Sequence, residues 1–188
     1  MTLQLIDINE EMIYWWNEYF KNCSNVTIQQ GSIFNTPTNC IVSHTNSYGF
    51  MDGSLDLIIS KTLGWHLQKK IQNIIKNEYN SELLVGQAIL IETGNENIKY
   101  LISAPTMRVP SNIQNTVNVY LANRTIFLLL KTNNINLVSM SGMGTGVGKL
   151  SYKSCAKQMK KAYDDCWLNK YEFPETWFIA TTKHQNLT

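Results

Sequence analysis

The stretch INLVSMSGMGTGVGKLS, residues 135–151, decides the fold class of this 188-residue chain. Its beginning, Ile135 to Ser141, is a short and largely apolar run, which is typical of a strand buried in a parallel sheet. Ser151 to Leu168 follows with apolar residues at helical spacing. Four glycines, at 142, 144, 146 and 148, lie between the two segments. A strand, a glycine-rich turn and a helix in this order predict an α/β sheet.

The glycine-rich segment itself, Ser141 to Gly148, predicts a phosphate cradle. Alternating glycines let backbone N–H groups converge on an anion, and the N-terminus of the following helix adds its dipole. The alternative is a tight turn that needs glycine only for packing. The segment is not a P-loop, because Leu150 stands where a Ser or Thr would bind magnesium. We expect Gly146 to need a positive φ and to lie where backbone and phosphate meet.

Working outward, short β-like runs alternate with helical runs, and no linker or repeat divides the chain, so residues 1–188 form one predicted domain. Asn9 is a candidate N-cap for the first helix. The strands at 39–43, 86–93, 99–104 and 135–141 are expected to be adjacent in one sheet. Further strands are predicted at 3–8, 26–30 and 177–182, and helices at 10–21, 53–63, 65–79, 112–132 and 151–168.

Composition excludes several functional classes. Charged residues make up 16% of the chain and the net charge is +2, so no basic surface predicts a nucleic-acid partner. No apolar run approaches the roughly 20 residues of a membrane-spanning helix. The four cysteines are widely spaced, which argues against a structural metal site. Because the N-terminus has no basic leader segment, we expect free thiols and a cytoplasmic location.

A polar and aromatic loop, residues 43–53, follows the predicted strand at 39–43. Ligands of open α/β sheets bind at this end of a strand. Asn46 offers an amide for a sugar hydroxyl. Asp52 either orients a hydroxyl or water, or caps the next helix. His44 is more often a partly buried, hydrogen-bonded histidine than a base.

The loop Ala104 to Pro110 follows another predicted strand and is fixed by prolines at both ends. Arg108 is its only cation. A structural or solvated arginine is the favoured interpretation, and contact with a carboxylate or phosphate is the alternative.

Taken in order, these segments resemble those of a macro domain, the module that binds ADP-ribose. The resemblance covers residues 25–168. It rests on six short motifs: Gly31-Ser32-Ile33 in place of Gly-Asp-Ile, Val42 to Asn46 in place of Val-Asn-Ala-Ala-Asn, Met51-Asp52-Gly53 in place of Val-Asp-Gly, the strand start Val85 to Ala88, the strand Tyr100 to Pro105, and the second phosphate loop Gly144 to Gly148.

The resemblance implies a three-layer α/β/α fold with a mixed central sheet and helices on both faces. It also implies a site without metal or cofactor, in which Asn46 and Asp52 are the catalytic candidates. The ligand-binding residues it implies are Ser32, Ile33, Ser43, Tyr48, Phe50, Gly53, Ser141, Gly142, Met143, Gly144, Thr145, Gly146, Val147 and Gly148.

Three departures from the family pattern bear on function. Ser32 replaces the Asp that accepts from the adenine amino group, and a neutral hydroxyl makes the weaker bond. Only six positions separate Asn46 from Asp52, without the glycine run of the hydrolytic branch, and a misplacement of about 1 Å can cost about 10²-fold in rate. The aromatic expected after Val147 is missing, so Tyr48 or Phe50 is expected to stack on the ribose.

The predicted function is therefore binding of ADP-ribose, of a derivative such as its phosphate, or of an ADP-ribosylated macromolecule. Hydrolysis of ADP-ribosyl linkages is a possible addition to binding. The alternatives are a reader module with the same pocket and no turnover, and an interaction domain that keeps the fold without the ligand.

Overall fold

Six strands and six α-helices alternate along residues 2–188, the part of the chain that the computed structural model describes. The strands are β1 (Thr2–Asp7), β2 (Val26–Gln30), β3 (Cys40–Ser43), β4 (Ile89–Glu92), β5 (Tyr100–Ser103) and β6 (Leu137–Met140). The helices are α1 (Glu10–Phe20), α2 (Ser54–Leu63), α3 (His66–Glu78), α4 (Asn118–Thr132), α5 (Tyr152–Ala162) and α6 (Trp177–Gln185); a π-helical turn, Tyr163–Trp167, extends α5.

The strands form one mixed sheet in the order β2-β1-β6-β3-β5-β4. All neighbouring strands are parallel except β4, which pairs antiparallel with β5. The four strands expected to be adjacent, β6, β3, β5 and β4, are consecutive in the sheet, which confirms that prediction.

Each face of the sheet buries its own apolar cluster. Trp16 of α1, Phe127 of α4 and Met159 of α5 belong to one cluster, together with alternate strand residues such as Val42. The other cluster joins α2 and α3 to the opposite side chains of the same strands, including Ile41. Helices therefore cover both faces, and the predicted three-layer α/β/α architecture is confirmed.

The first helix begins as its sequence predicts. The Asn9 side chain accepts hydrogen bonds from the backbone N–H groups of Glu11 and Met12, at 2.9 and 3.3 Å. These bonds satisfy two of the donors that a helix start leaves without partners. Asn9 is therefore the N-cap of α1.

The last predicted strand is wrong, because residues 177–182 lie in α6. The Thr176 hydroxyl accepts from the N–H of Ile179 and so caps a helix start. Lys183 and His184 occupy the last turn, where cations favour a helix. An apolar hexapeptide alone does not distinguish strand from helix.

The predicted helix at 112–132 starts later, at Asn118. The preceding residues serve the glycine-rich loop instead: the N–H of Ile113 donates to the Gly148 carbonyl oxygen at 2.8 Å. The strand predicted at 86–93 is likewise shorter and starts at Ile89. Within residues 2–188, no helix combines the length and apolarity needed to cross a bilayer.

Candidate functional site

A cavity of about 600 Å³ opens at the carboxyl edge of the sheet. Five parallel strands end at this edge, and the segment after each of them lines the cavity. The lining residues are Ile6, Asp7, Ile8, Gly31, Ser32, Ile33, His44, Thr45, Asn46, Phe50, Asp52, Gly53, Ser54, Leu55, Asp56, Ile58, Thr106, Met107, Pro110, Ser141, Gly142, Gly144, Thr145, Gly146, Val147 and Gly148. Its volume is in the range of small-molecule sites.

The glycine-rich loop presents unpaired donors to this cavity. Within residues 2–188, the five consecutive backbone N–H groups from Gly144 to Gly148 have no hydrogen-bond acceptor. The loop is held from both sides instead. The N–H of Gly142 donates to Asp7 Oδ2 at 2.9 Å, and the N–H of Leu150 donates to the Gly144 carbonyl oxygen at 3.1 Å. A run of free amides in a fixed loop is a site for an anion.

Two of the loop glycines are required by packing. Gly144 has a φ of +71°, which favours glycine. A Cβ on Gly148 would lie 2.4 Å from the Gly144 carbonyl oxygen and 2.8 Å from Ile113. Gly146 differs, because its φ is not positive and no atom lies within 4 Å of an added Cβ. The expected positive φ at Gly146 is therefore wrong, while its position on the cavity wall agrees with the prediction.

The start of helix α2 also lines the cavity, through Gly53, Ser54 and Leu55. Its N-cap is Gly53, and no side chain accepts from the first-turn N–H groups. The alternative role of Asp52 as the cap of this helix is therefore wrong. Asp52 is exposed, lines the cavity and makes no hydrogen bond to any residue from 2 to 188. Its carboxylate is available to a ligand or water.

The Asn46 side chain is largely used within its own loop. Its Oδ1 accepts from the N–H groups of Tyr48 and Phe50, at 3.0 and 3.4 Å, and its Nδ2 donates to the Phe50 carbonyl oxygen at 3.1 Å. One Nδ2–H remains for a ligand. Asn46 lines the cavity, but its evident structural task is to hold the turn 46–50.

The same turn separates the two candidate stacking aromatics. Phe50 is half exposed and lines the cavity. Tyr48 points elsewhere, beneath the Arg108 guanidinium, which lies 5.4 Å from its ring centroid. Arg108 also forms a two-pronged ion pair with Glu82, at 2.6 and 3.1 Å, outside the cavity. Arg108 therefore does contact a carboxylate, but that of the protein's own Glu82, and it does not line the cavity.

Two pairs of polar groups lie at or directly behind the cavity wall. The Ser43 hydroxyl donates to Asp56 Oδ1 at 2.5 Å, and His44 Nε2 lies 3.3 Å from the Ser141 hydroxyl. Burial raises the pKa of the Asp56 carboxyl above its ordinary value, although His44 and the Ser43 hydrogen bond oppose that effect. Asp56 is therefore more readily protonated than an exposed aspartate.

Most of the predicted site residues meet at this cavity, and three do not. Ser43 is fully buried behind the wall against Asp56, Tyr48 turns to Arg108, and Met143 is buried with its N–H donated to the Cys155 sulfur. The predicted residues at the cavity are Ser32, Ile33, Asn46, Phe50, Asp52, Gly53, Ser141, Gly142, Gly144, Thr145, Gly146, Val147 and Gly148.

Sequence reasoning missed two carboxylates and an apolar rim. Asp7 follows the first parallel strand, at the edge where ligands bind, so its position along the chain was an available indication. Asp56 lies on the first turn of α2 and gave no such indication. Ile8 is mostly exposed and Ile58 is half exposed, and both line the cavity. They offer apolar surface to a flat ring.

The side chains at this site do not favour a bound metal cation. Among residues 2–188, no group of three or more His, Cys, Asp and Glu side chains is arranged to hold a metal ion. No Lys or Arg of the described chain lines the cavity either. An anion bound here would rest on backbone N–H groups and on the dipole of α2.

Comparison with known proteins identifies the family of this chain. Residues 42–159 match the family model described as Macro domain. An uncharacterized protein of Aquifex aeolicus is 28% identical over 135 residues, which is 72% of this chain and 78% of the relative.

Solved macrodomains share the fold. The macrodomain of Mycobacterium tuberculosis DarG has a TM-score of 0.61 at 19% identity, covering 72% of this chain and 87% of its own. The Oceanobacillus iheyensis macrodomain, solved with ADP, gives 0.60 at 22% identity, covering 70% and 72%. Thermosipho africanus DarTG in complex with ADP-ribose gives 0.61 at 16% identity, covering 84% and 48%. Since the family match spans more than half of its residues, the chain belongs to the macro-domain family.

Proposed function

We propose that the cavity binds ADP-ribose, either free or attached to a macromolecule. The observation that carries this proposal is the run of five unpaired N–H groups from Gly144 to Gly148, in a loop that lines the same cavity as the uncapped start of α2. Two sets of backbone donors at one cavity match the several oxygens of a diphosphate. We assign the rest of the cavity to a nucleoside and a second ribose.

The ligands of fold relatives support the same proposal. The Oceanobacillus iheyensis macrodomain was solved with ADP, and Thermosipho africanus DarTG was solved in complex with ADP-ribose. Ser32 and Ile33 line the cavity after β2, whereas Asn46, Phe50 and Asp52 line it after β3, and two strands lie between β2 and β3 in the sheet. We assign the first group to the adenine end and the second to the distal ribose, with Phe50 as the stacking aromatic.

Hydrolysis of an ADP-ribosyl linkage is the second part of the proposal. Asp52 favours it, because an exposed carboxylate without a hydrogen-bond partner among residues 2–188 is free to orient or deprotonate water. A protein that only binds ADP-ribose has no need of such a group. ADP-ribose phosphate is a further substrate that the same carboxylate would serve.

Calorimetric titration with ADP-ribose, AMP and ribose 5-phosphate tests binding. We expect ADP-ribose to bind most tightly, because each smaller ligand occupies only part of the cavity. If none of the three binds, the proposal fails and an interaction domain becomes the better description.

Turnover is tested separately with protein-linked and nucleic-acid-linked ADP-ribose and with ADP-ribose phosphate. We expect Asp52→Asn to lose turnover and to keep ADP-ribose binding. An Asp164→Asn variant is the matched control, since Asp164 pairs with Lys160 on the π-helical turn outside the cavity. Binding without any turnover in the parent protein would identify a reader module.

We also propose that the chain works in the cytoplasm as a single domain. Its four cysteines are all free, and burial raises the pKa of Cys40 and Cys155 to about 12. Thiols in this state are compatible with a reducing compartment.

A further inference from the structure

A second carboxyl group, Asp56, lies four positions after Asp52, interacts with it electrostatically and lines the same cavity. It belongs to the first turn of α2, and only 8% of the residue is exposed. Oδ1 accepts the Ser43 hydroxyl, while Oδ2 has no partner among residues 2–188 and is not sealed from solvent. The free oxygen of Asp56 is therefore accessible from the cavity that Asp52 also lines.

The two carboxyl groups lie in different environments. Asp52 is exposed to solvent, whereas Asp56 is enclosed by Ser43 and by the packing of α2 against β3 and α3. The titratable groups that act on Asp56 are His44, after β3, and Asp52 itself. Helix α3 buries the apolar Leu67 and Ile71 in the cluster that it shares with α2. Burial and the negative charge of Asp52 both raise the pKa of Asp56, so it keeps its proton more readily than an ordinary aspartate.

Paired carboxyl groups in contrasting environments are the arrangement that divides acid from base in glycoside hydrolysis. An ADP-ribosyl linkage is a glycoside at C1 of the distal ribose. We propose that Asp56 is the general acid and Asp52 the general base for cleavage of that bond. This inference rests on the proposed ADP-ribose site and adds a residue with its role.

The step balances as a direct displacement by water. Asp52 accepts a proton from the water whose oxygen forms the new bond to C1. The bond between C1 and the linking oxygen breaks, and its electron pair stays on that oxygen, which takes the proton of Asp56. The products are ADP-ribose and a free hydroxyl group, and proton exchange with solvent restores both carboxyl groups.

The acid determines the substrate class. A carboxylate leaves without protonation because it is a weak base, whereas an alkoxide needs a proton as the bond breaks. A general acid is useful only for the second kind of substrate. The inferred substrates are therefore O-glycosides of alcohols, such as ADP-ribosylated hydroxyl side chains, rather than esters of acidic side chains.

Two substrates that differ only in the leaving group test this role. One is a peptide with ADP-ribose on a serine hydroxyl, and the other is the 4-nitrophenyl glycoside of ADP-ribose, whose phenolate leaves without help. Asp56→Asn keeps an acceptor for Ser43 but supplies no proton. We expect it to slow the serine-linked substrate by about 10²–10⁴-fold. The nitrophenyl substrate should change by less than about 5-fold, since protonation contributes little there.

Three controls accompany this comparison. Asp52→Asn should slow both substrates, and Asp164→Asn should slow neither. Asp56→Asn should bind ADP-ribose within about 3-fold of the parent. The parent protein gives a test that needs no variant: its kcat for the serine-linked substrate should fall with rising pH as the acid is lost, and its kcat for the nitrophenyl glycoside should not fall in that range.

Equal slowing of both substrates by Asp56→Asn, or no slowing of either, overturns the role of Asp56. A parent protein that binds ADP-ribose but cleaves neither substrate also overturns it and leaves the binding proposal standing. A parent protein that does not bind ADP-ribose overturns the proposed function itself. If Asp56→Asn does not fold, the two pH profiles of the parent decide, because identical profiles contradict the inference.

Discussion

Replacing Gly146 by valine should separate ligand binding from folding. Position 146 is exposed, its φ is not positive, and nothing lies within 4 Å of an added Cβ. The first atom of the new side chain therefore meets no protein atom beyond its chain neighbours. It does project from a loop that lines the cavity, next to N–H groups that we assign to the diphosphate.

The expected loss of affinity for ADP-ribose follows from the hydrogen bonds that the valine side chain would displace. A hydrogen bond to a charged group is worth about 1.5–3 kcal/mol, so displacing the diphosphate from one N–H lowers affinity roughly 10- to 150-fold. The stability change should stay within about 0.5 kcal/mol, as for other exposed positions. Calorimetry with ADP-ribose measures the first quantity, and a urea titration measures the second.

Gly148→Ala is the matched control in the same loop. Its Cβ would lie 2.4 Å from the Gly144 carbonyl oxygen, so the loop must shift or the chain lose stability. Overpacking of this kind costs about 1–3 kcal/mol, which lowers Tm by roughly 2–12 °C. If Gly146→Val binds ADP-ribose as tightly as the parent does, the loop is not the cradle. If Gly146→Val loses as much stability as Gly148→Ala, a side chain at position 146 does meet protein atoms.

Three further outcomes are expected. Burial raises the pKa of Asp56 in the folded chain, so the contribution of this group to stability is fully present below the unfolded pKa of 3.8 and is lost as the pH rises through the folded pKa. Thermal melts should therefore show that Asp56→Asn is more stable than the parent at pH 8 and not at pH 3. Equal gains in stability at both pH values would contradict this. Asn9→Ala removes the cap of α1 and should cost about 1 kcal/mol in urea denaturation, whereas no loss would show that the cap is redundant. Because burial raises the pKa of Cys40 and Cys155 to about 12, mass spectrometry after alkylation of the native chain at pH 8 should find Cys23 modified before either of them.

The sheet was predictable because its local patterns agree with its tertiary environment. The apolar runs at 39–43 and 135–141 are buried on both faces of a parallel sheet, which is the setting that continuous hydrophobicity indicates. Asn9 likewise caps α1 through the nearby N–H groups of Glu11 and Met12, while its Nδ2 also donates to the distant Tyr152 hydroxyl. The sequence of residues 177–182 is compatible with either a strand or a helix. A strand there would need a sheet edge to pair with. With no strand beside them, the cap at Thr176 favours a helix.

The site residues that come directly after a strand were predictable from the sequence. Asp7 and Gly142 are 135 residues apart, and Ser43 and Asp56 are joined across the sheet and helix layers, so no local pattern reports either contact. The choice between Tyr48 and Phe50 also escaped the sequence. Three hydrogen bonds of Asn46 fix the turn that sends one ring to the cavity and the other to Arg108.

The short loop between Asn46 and Asp52 has a consequence for the chemistry at α2. Asn46 closes the turn, the N–H of Met51 donates to Gln68 Oε1 at 2.7 Å, and Met51 is fully buried, so little of the loop is free to move. The chain then enters α2 through Ser54 at a φ of +48°, a left-handed conformation that costs a non-glycine residue about 1–3 kcal/mol. Asp52 lies before this strained entry and is exposed, while Asp56 lies in the first turn of the helix and is anchored to Ser43. The two carboxyl groups on either side of Ser54 thus lie in unlike surroundings, which is what a division between acid and base requires.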